Sequence, residues 1–350
     1  MDATIEQVIR SRVGALLEQP PASLRVEPLA GHASARLYVR VRSSSLRSVM
    51  VMVLPPDARA SEEASKGEVP EELPFLTVQR LLEDLGVRVP AIHEVALEDG
   101  LLILEDLGDV TLESVVSGAS AEARQKHYGA AIDTLAFLRR EAELRPAPET
   151  LPWQRSFDFE LLRWELDHFR EWLLEAHAGA KLEADEQLLV EESFDAIARR
   201  LAELPRGLTH RDYQSRNLLL VQGEIAVIDF QDALQGPLVY DLVALLRDSY
   251  VELTRPEVEG LIDRYLDAYR SLGGTPPDRD ELDELFDLQT VQRKLKDAGR
   301  FVFIDRVKQN DSFLPSIPAS LKYAREALGR LPGYAPLHAV LGKYVPELAP

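Results

Sequence analysis

The sequence predicts an α+β fold, with a small sheet-bearing first part and a larger, mainly helical second part. Three observations carry this. Strand-like apolar runs are confined to about the first hundred residues, apart from one β island. Beyond Asp109 apolar residues recur at helical spacing. The chain has 350 residues, enough for two domains that each bury a core. The expected division is 1–108 and 109–350.

The elements follow in order. Met1 to Gln19 places Ile5, Val8, Ile9, Val13, Leu16 and Leu17 at helical spacing. Leu37–Val41 and Val49–Leu54 read as strands. Pro55, Pro56 and an Ala/Ser/Glu-rich stretch to Glu72 read as a solvated, mobile loop. Phe75–Leu85 is an amphipathic helix stopped by Gly86. Ala91–Val95 and Leu101–Leu104 read as two further strands, and a connector follows near Glu105 to Gly108. Among the later helices, Leu162, Leu166, Phe169 and Leu173 share a face, as do Val190, Phe194, Ile197 and Leu201. The β island is a hairpin, Leu218–Val221 and Ile225–Ile228, turning at Gly223.

Composition removes several function classes. The chain has no cysteine, which excludes thiol catalysis, disulfides and thiolate metal sites. Its 59 acidic against 40 basic residues give a net charge of −19, which argues against nucleic acid as a partner. The N-terminal stretch lacks the basic start and apolar run of a secretory signal, and no run is long enough to span a bilayer. A cytoplasmic protein acting without a membrane is the expectation. Oligomeric state is not readable.

The chemistry concentrates in 209–230, THRDYQSRNLLLVQGEIAVIDF. His210-Arg211-Asp212 opens it, Asn217 lies five positions after the aspartate, and Asp229-Phe230 closes it. The hairpin between them returns the chain, so Asp212, Asn217 and Asp229 are expected to converge. Carboxylate and amide oxygens suit Mg²⁺ together with phosphate oxygens. A further carboxylate can orient a hydroxyl and take its proton, which completes the parts for phosphoryl transfer from a nucleotide.

This constellation resembles the aminoglycoside phosphotransferase/choline kinase superfamily, small-molecule relatives of the protein kinases, over most of the chain. The resemblance implies a protein-kinase-like two-lobed fold: a small antiparallel-sheet N-lobe that binds nucleotide, 1–108, and a larger helical C-lobe, 109–350. It implies ATP and Mg²⁺ as cofactors, Asp212 as catalytic base, and Asn217 and Asp229 as metal ligands. Arg216, beside the metal ligand, would neutralise the γ-phosphoryl or reach the substrate. His210 belongs to the structural frame of the loop. Asp241 either buttresses that loop through its amides or is a helix cap. Leu29–Arg36 looks like the phosphate-covering loop, which gives Gly31, His32, Ala33, Ser34 and Arg36 to the nucleotide. Leu104–Gly108 resembles the connector that meets the adenine, with Glu105 and Leu107. No A-P-E platform for a peptide follows Asp229. The third-strand lysine of protein kinases is missing from Val49–Leu54. Arg36, Arg40 or Lys66 could replace its charge; an inactive nucleotide-binding pseudokinase is the other reading.

Within the superfamily, several stretches resemble the anomeric N-acetylmuramate/N-acetylglucosamine kinases of bacterial cell-wall recycling. They are Gly31–Ser34, Met52–Pro56, Ile228 through Asp248, and Gln292–Lys296. The resemblance implies transfer to the anomeric hydroxyl of an amino sugar, yielding a sugar 1-phosphate. A kinase for a cationic acceptor, such as an aminoglycoside or choline, is the alternative. Segment 289–308 holds six basic and two acidic residues. Arg293 and Lys296, with Arg300 on the same helical face, either meet a sugar's carboxylate or form a basic face that is solvated or paired to the acidic surface. Glu165, His168 and Trp172, at i, i+3 and i+7, either bind a sugar or form an ordinary exposed surface.

Overall fold

The structure, a computed structural model, describes residues 2–29, 36–44, 47–55 and 70–350. It divides into two compact units. One comprises 1–110 together with 219–228, the other 111–218 together with 229–350.

In the first unit, α1 (Ala3–Leu17) is capped by Asp2, whose carboxylate accepts from the Thr4 amide. β1 (Arg25–Pro28), β2 (Leu37–Arg42) and β3 (Ser48–Val53) follow. Then come α2 (Pro74–Asp84), β4 (Ile92–Ala96) and β5 (Leu101–Glu105). The five strands form one antiparallel sheet in the order β1-β2-β3-β5-β4. Strand alternation sends Val39, Val41, Val49, Val51, Leu101 and Ile103 to one face, where they pack with Ile9, Val13 and Leu17 of α1. β1 was not expected: it is a four-residue edge strand in which Arg25 and Glu27 mask the pattern. α2 ends as expected, with Gly86 in the left-handed region at φ 85°.

The hairpin, β7 (Leu218–Val221) and β8 (Glu224–Val227), is numbered after β6 (Arg206–Thr209), which precedes it. Gln222 and Gly223 both have positive φ, 54° and 92°, as a two-residue primed turn requires. The hairpin is tied into the first unit by two bonds. The Leu220 amide donates to the Val110 carbonyl, and the Val227 amide to the Arg88 carbonyl.

The second unit contains α3 (Leu112–Val116), α4 (Ala121–Leu144), α5 (Leu151–Gln154), α6 (Phe159–His168) and α7 (Ala184–Ala202). β9 (Leu234–Pro237), α8 (Val239–Leu246) and α9 (Arg255–Ser271) follow the hairpin. α10 (Arg279–Lys308), α11 (Ile317–Leu328) and α12 (Ala335–Tyr344) complete it. α6 runs on as a π-helical turn over Phe169–His177. Both apolar faces read from the sequence are buried on α6/π and α7.

α10 is the spine of this unit. Its residues 285–299 are buried without a break, and it packs against α6, the π turn, α7, α8 and α11. The solvated-face reading of segment 289–308 fails for Arg293 and Lys296 and holds only toward its end, where Arg306 and Lys308 are exposed. Arg293, Lys294 and Lys296 are 0, 0 and 7 % exposed. Buried charges need partners, and those partners build the site described next. Gly299 sits where α10 crosses the π turn: a Cβ there would lie 2.6 Å from both the His168 carbonyl oxygen and Phe169 Cα.

Candidate active site

β6 and β9 pair antiparallel, with Thr209 opposite Leu234. This brings the segment after β6, His210-Arg211-Asp212, to the same end as the segment before β9, Asp229 to Ala233. A side chain on Gly236 of β9 would collide with Thr209 and Phe157, so the close pairing needs glycine there.

Two buried carboxylates hold the loop from behind. Asp241, in the first turn of α8, accepts from the His210 amide at 2.6 Å and the Arg211 amide at 2.9 Å. It is not a helix cap, since α8 starts after Leu238. Asp248 accepts from the Ser215 amide at 2.9 Å, from the Ser215 hydroxyl, and from the Tyr250 amide. Burial raises both carboxyls above their usual range; the amides and nearby cations work the other way. The Asp212 amide donates to His210 Nδ1 at 3.2 Å, which makes that nitrogen an acceptor.

Arg211 has φ 80° and Asp229 φ 64°, a conformation costing roughly 1–3 kcal/mol for a residue with a side chain. Arg211 is held by more than its amide. Its guanidinium meets Glu165 Oε1 at 3.3 Å, and Glu165 Oε2 accepts from Gln292 at 2.7 Å. Glu165 is fully buried, so it does not lie on an open sugar-binding face. α10 covers the side of α6 that the sequence left exposed. Arg293 Nη1 donates to the Arg211 carbonyl at 2.8 Å, and Nη2 meets Asp212 Oδ1 at 3.2 Å. Arg211 and Arg293 bracket the stacked rings of Phe157 and Tyr240, whose centroids are 4.1 Å apart. The carboxylate of Asp212 is about a third exposed.

The expected metal ligands fit a hard cation. Asn217 Nδ2 donates to the Asp212 carbonyl at 2.8 Å, which leaves its amide oxygen as the atom to meet an ion. Gln231 Nε2 donates to Asp229 Oδ1 at 3.0 Å and fixes that carboxylate's rotation. The hairpin flanked by the two residues brings its ends together.

The remaining candidates are placed as follows. Arg216 forms a two-point pair with Glu113 of α3, at 2.7 and 3.0 Å, and lies 3.5 Å over the Tyr250 ring. Lys296 Nζ is 3.4 Å from Asp297, which also accepts from Lys294 at 2.8 Å. Burial alone would raise Asp297, but Lys294, Arg293 and Lys296 hold it well below the carboxylate range. His168 is buried among the rings of Trp164, Trp172 and Phe303, and Arg300 lies over Phe303. In the first unit, Arg40 is 4 % exposed and bound by Asp106 and Asp109, so it brings no unpaired charge to a phosphate. Glu105 ends β5 with its carboxylate on Arg88, whose hydrogen bonds lower it; Leu107 follows, half-buried. Arg36 is half-buried just before β2. Gly31, His32, Ala33, Ser34, Lys66 and the 57–69 part of the acidic loop lie outside the described residues.

Asp248, Glu113, Gln231 and the loop contact of Arg293 were missed. Asp248 had a readable signal, seven residues beyond Asp241 in the same aspartate-rich stretch; the others have none in the sequence.

The phosphotransferase enzyme family matches residues 25–285 of this chain. The chain is 33 % identical to the N-acetylmuramate/N-acetylglucosamine kinase of Pseudomonas aeruginosa over 327 residues, 93 % of this chain and 89 % of the relative. It is 33 % identical to the protein of the same name from Neisseria meningitidis over 318 residues, 90 % of this chain and 89 % of the relative. Among solved structures, choline kinase from Cryptosporidium parvum superposes with a TM-score of 0.62 at 14 % identity, covering 96 % of this chain and 98 % of that one. An ADP-bound aminoglycoside phosphotransferase gives 0.57 at 15 % identity, covering 93 and 99 %. The shared architecture is the α+β, kinase-like one that the sequence predicts.

Proposed function

The chain belongs to the phosphotransferase enzyme family, and from that premise we propose that it phosphorylates N-acetylmuramate and N-acetylglucosamine with ATP, at the anomeric hydroxyl. The carrying observation is identity of one third spread over nine-tenths of the chain to relatives bearing that name. The site geometry is consistent with it: a partly exposed aspartate beside two oxygen ligands, on a loop fixed from behind.

In this reading Asp212 orients the sugar hydroxyl and accepts its proton. Asn217 and Asp229 hold Mg²⁺, which supplies charge neutralisation at the phosphate oxygens when bound. Residues 1–108 bind the nucleotide through Gly31–Ser34, Arg36 and the Glu105–Leu107 connector. Residues 109–350 hold the sugar, with Trp172 and Lys296 kept as candidate contacts. Arg216 is held by Glu113 and would meet a phosphoryl group or sugar from that position or after leaving it. Acceleration comes from positioning and electrostatics.

The test is ADP release with ATP, Mg²⁺ and a panel of N-acetylmuramate, N-acetylglucosamine, glucose, choline and kanamycin, with phosphorus NMR of the product. Stimulation by the two N-acetyl sugars and a sugar 1-phosphate signal are expected. Stimulation by choline or kanamycin alone would replace this reading with a cationic acceptor.

A further inference from the structure

We infer that Arg293 is a positioning residue for the catalytic aspartate, and not a ligand for the sugar's carboxylate. The inference rests on the proposed function for its kinetic arm, and on geometry alone for its structural arm.

Its guanidinium spans two adjacent residues of the loop, the Arg211 carbonyl at 2.8 Å and Asp212 Oδ1 at 3.2 Å. The planar fork of arginine makes both contacts at once; an ammonium would make one. Arg293 has no exposed surface, and its other side faces the Tyr240 ring at 4.9 Å. It therefore offers no face to a bound sugar. Its contacts complete the fastening of Arg211. The amide goes to Asp241 on α8, the guanidinium to Glu165 on α6, and the carbonyl to Arg293 on α10. A residue at φ 80° stays there only when its surroundings over-determine it. Of the three ties, the one through Arg293 is the one that also reaches the Asp212 carboxylate. It occupies Oδ1 and so sets the carboxylate's rotation relative to an incoming hydroxyl. Gln292, the preceding residue of α10, braces Glu165 in turn, so one helix turn supports both the strained backbone and the base.

The test uses the full chain with Arg293→Met and Arg293→Lys. Kinetics on both sugars form one arm, and amide hydrogen exchange over residues 207–214 the other. Arg293→Met should lower kcat by roughly 10- to 100-fold equally for N-acetylmuramate and N-acetylglucosamine, leaving KM for each sugar little changed. Exchange at the loop amides should quicken roughly tenfold while the rest of the chain is unmoved. Arg293→Lys should fall between the variant and wild type; if Arg293→Met does not fold, it carries both arms. A loss confined to KM for N-acetylmuramate would overturn the inference, because it would place Arg293 on the sugar's carboxylate. Unchanged loop exchange would overturn it as well. If wild type turns over neither sugar, the proposed function fails, and the exchange arm alone decides the role of Arg293.

Discussion

Arg211 shows how much structure one residue can require. Its backbone is strained, and each of its polar groups meets a partner from a different helix. Losing the Asp241 carboxylate would orphan two buried amides, each costing roughly 1–3 kcal/mol. The consequence passes to its neighbour, since Asp212 is placed by that backbone. Asp212→Asn should lower turnover by roughly 10²–10⁴-fold while ATP still binds, because the amide keeps the shape but cannot accept a proton. Turnover and a fluorescent-nucleotide titration check this; near-normal turnover would remove Asp212 as the base. At this scale the legible residues are those whose partners are local. Asp212, Asn217 and Asp229 lie within one short stretch and were readable from spacing. Glu165 and Arg293 reach the loop across 46 and 81 positions, and no local pattern records such pairings.

α10 reverses the usual reading of a basic helix. Its run of cations read equally as a carboxylate-binding set or a solvated face, yet residues 285–299 form the core of the unit, with Arg293, Lys294 and Lys296 paired inward. A hydropathy pattern cannot separate a solvated charge from a buried, paired one, so this segment was legible as helix and illegible in orientation. Gly299 was equally unreadable: an interior glycine weakens a helix by about 1 kcal/mol, and only the approach of the π turn explains it. β9 failed to register because Gly236-Pro237 reads as a turn. α7 starts with a capping box that can be tested. In its capping box Glu186 accepts from the Glu183 amide, from Lys343 at 2.6 Å and from Tyr344 at 2.5 Å. Lys343 first, then Tyr344 and the amide, pull its carboxyl down to about 2. A depressed carboxyl contributes stability that is complete above its ordinary range and lost as pH falls toward 2. Glu186→Gln should therefore lower Tm at pH 6, and the deficit should vanish as wild type approaches pH 2. A deficit constant across that range in calorimetric scans would show that ionisation plays no part.

Taken whole, the molecule carries −19. That charge is a poor guide to its substrate, because one of the two proposed sugars is itself anionic and ATP more so. The mean field opposes both, and salt screens it: the Debye length falls from about 30 Å at 0.01 M to about 8 Å at 0.15 M. Raising ionic strength across this range should raise kcat/KM for N-acetylmuramate relative to neutral N-acetylglucosamine. A falling ratio would mean that cations at the site outweigh the rest of the surface. Among the described residues no helix is long and apolar enough to cross a membrane. The α+β division was legible because strand and helix periods differ along the chain. Reading along the chain could not show that residues 219–228 return to the first unit, since that depends on bonds to Arg88 and Val110. This return bears on the order in which the protein is made. As the chain leaves the ribosome, its first 110 residues emerge early but lack a hairpin that is synthesised only after β6 and the seven helices α1 to α7. The first unit to begin folding thus waits for a late segment, and a truncated product ending before residue 219 would leave the carbonyls of Arg88 and Val110 without their hairpin partners.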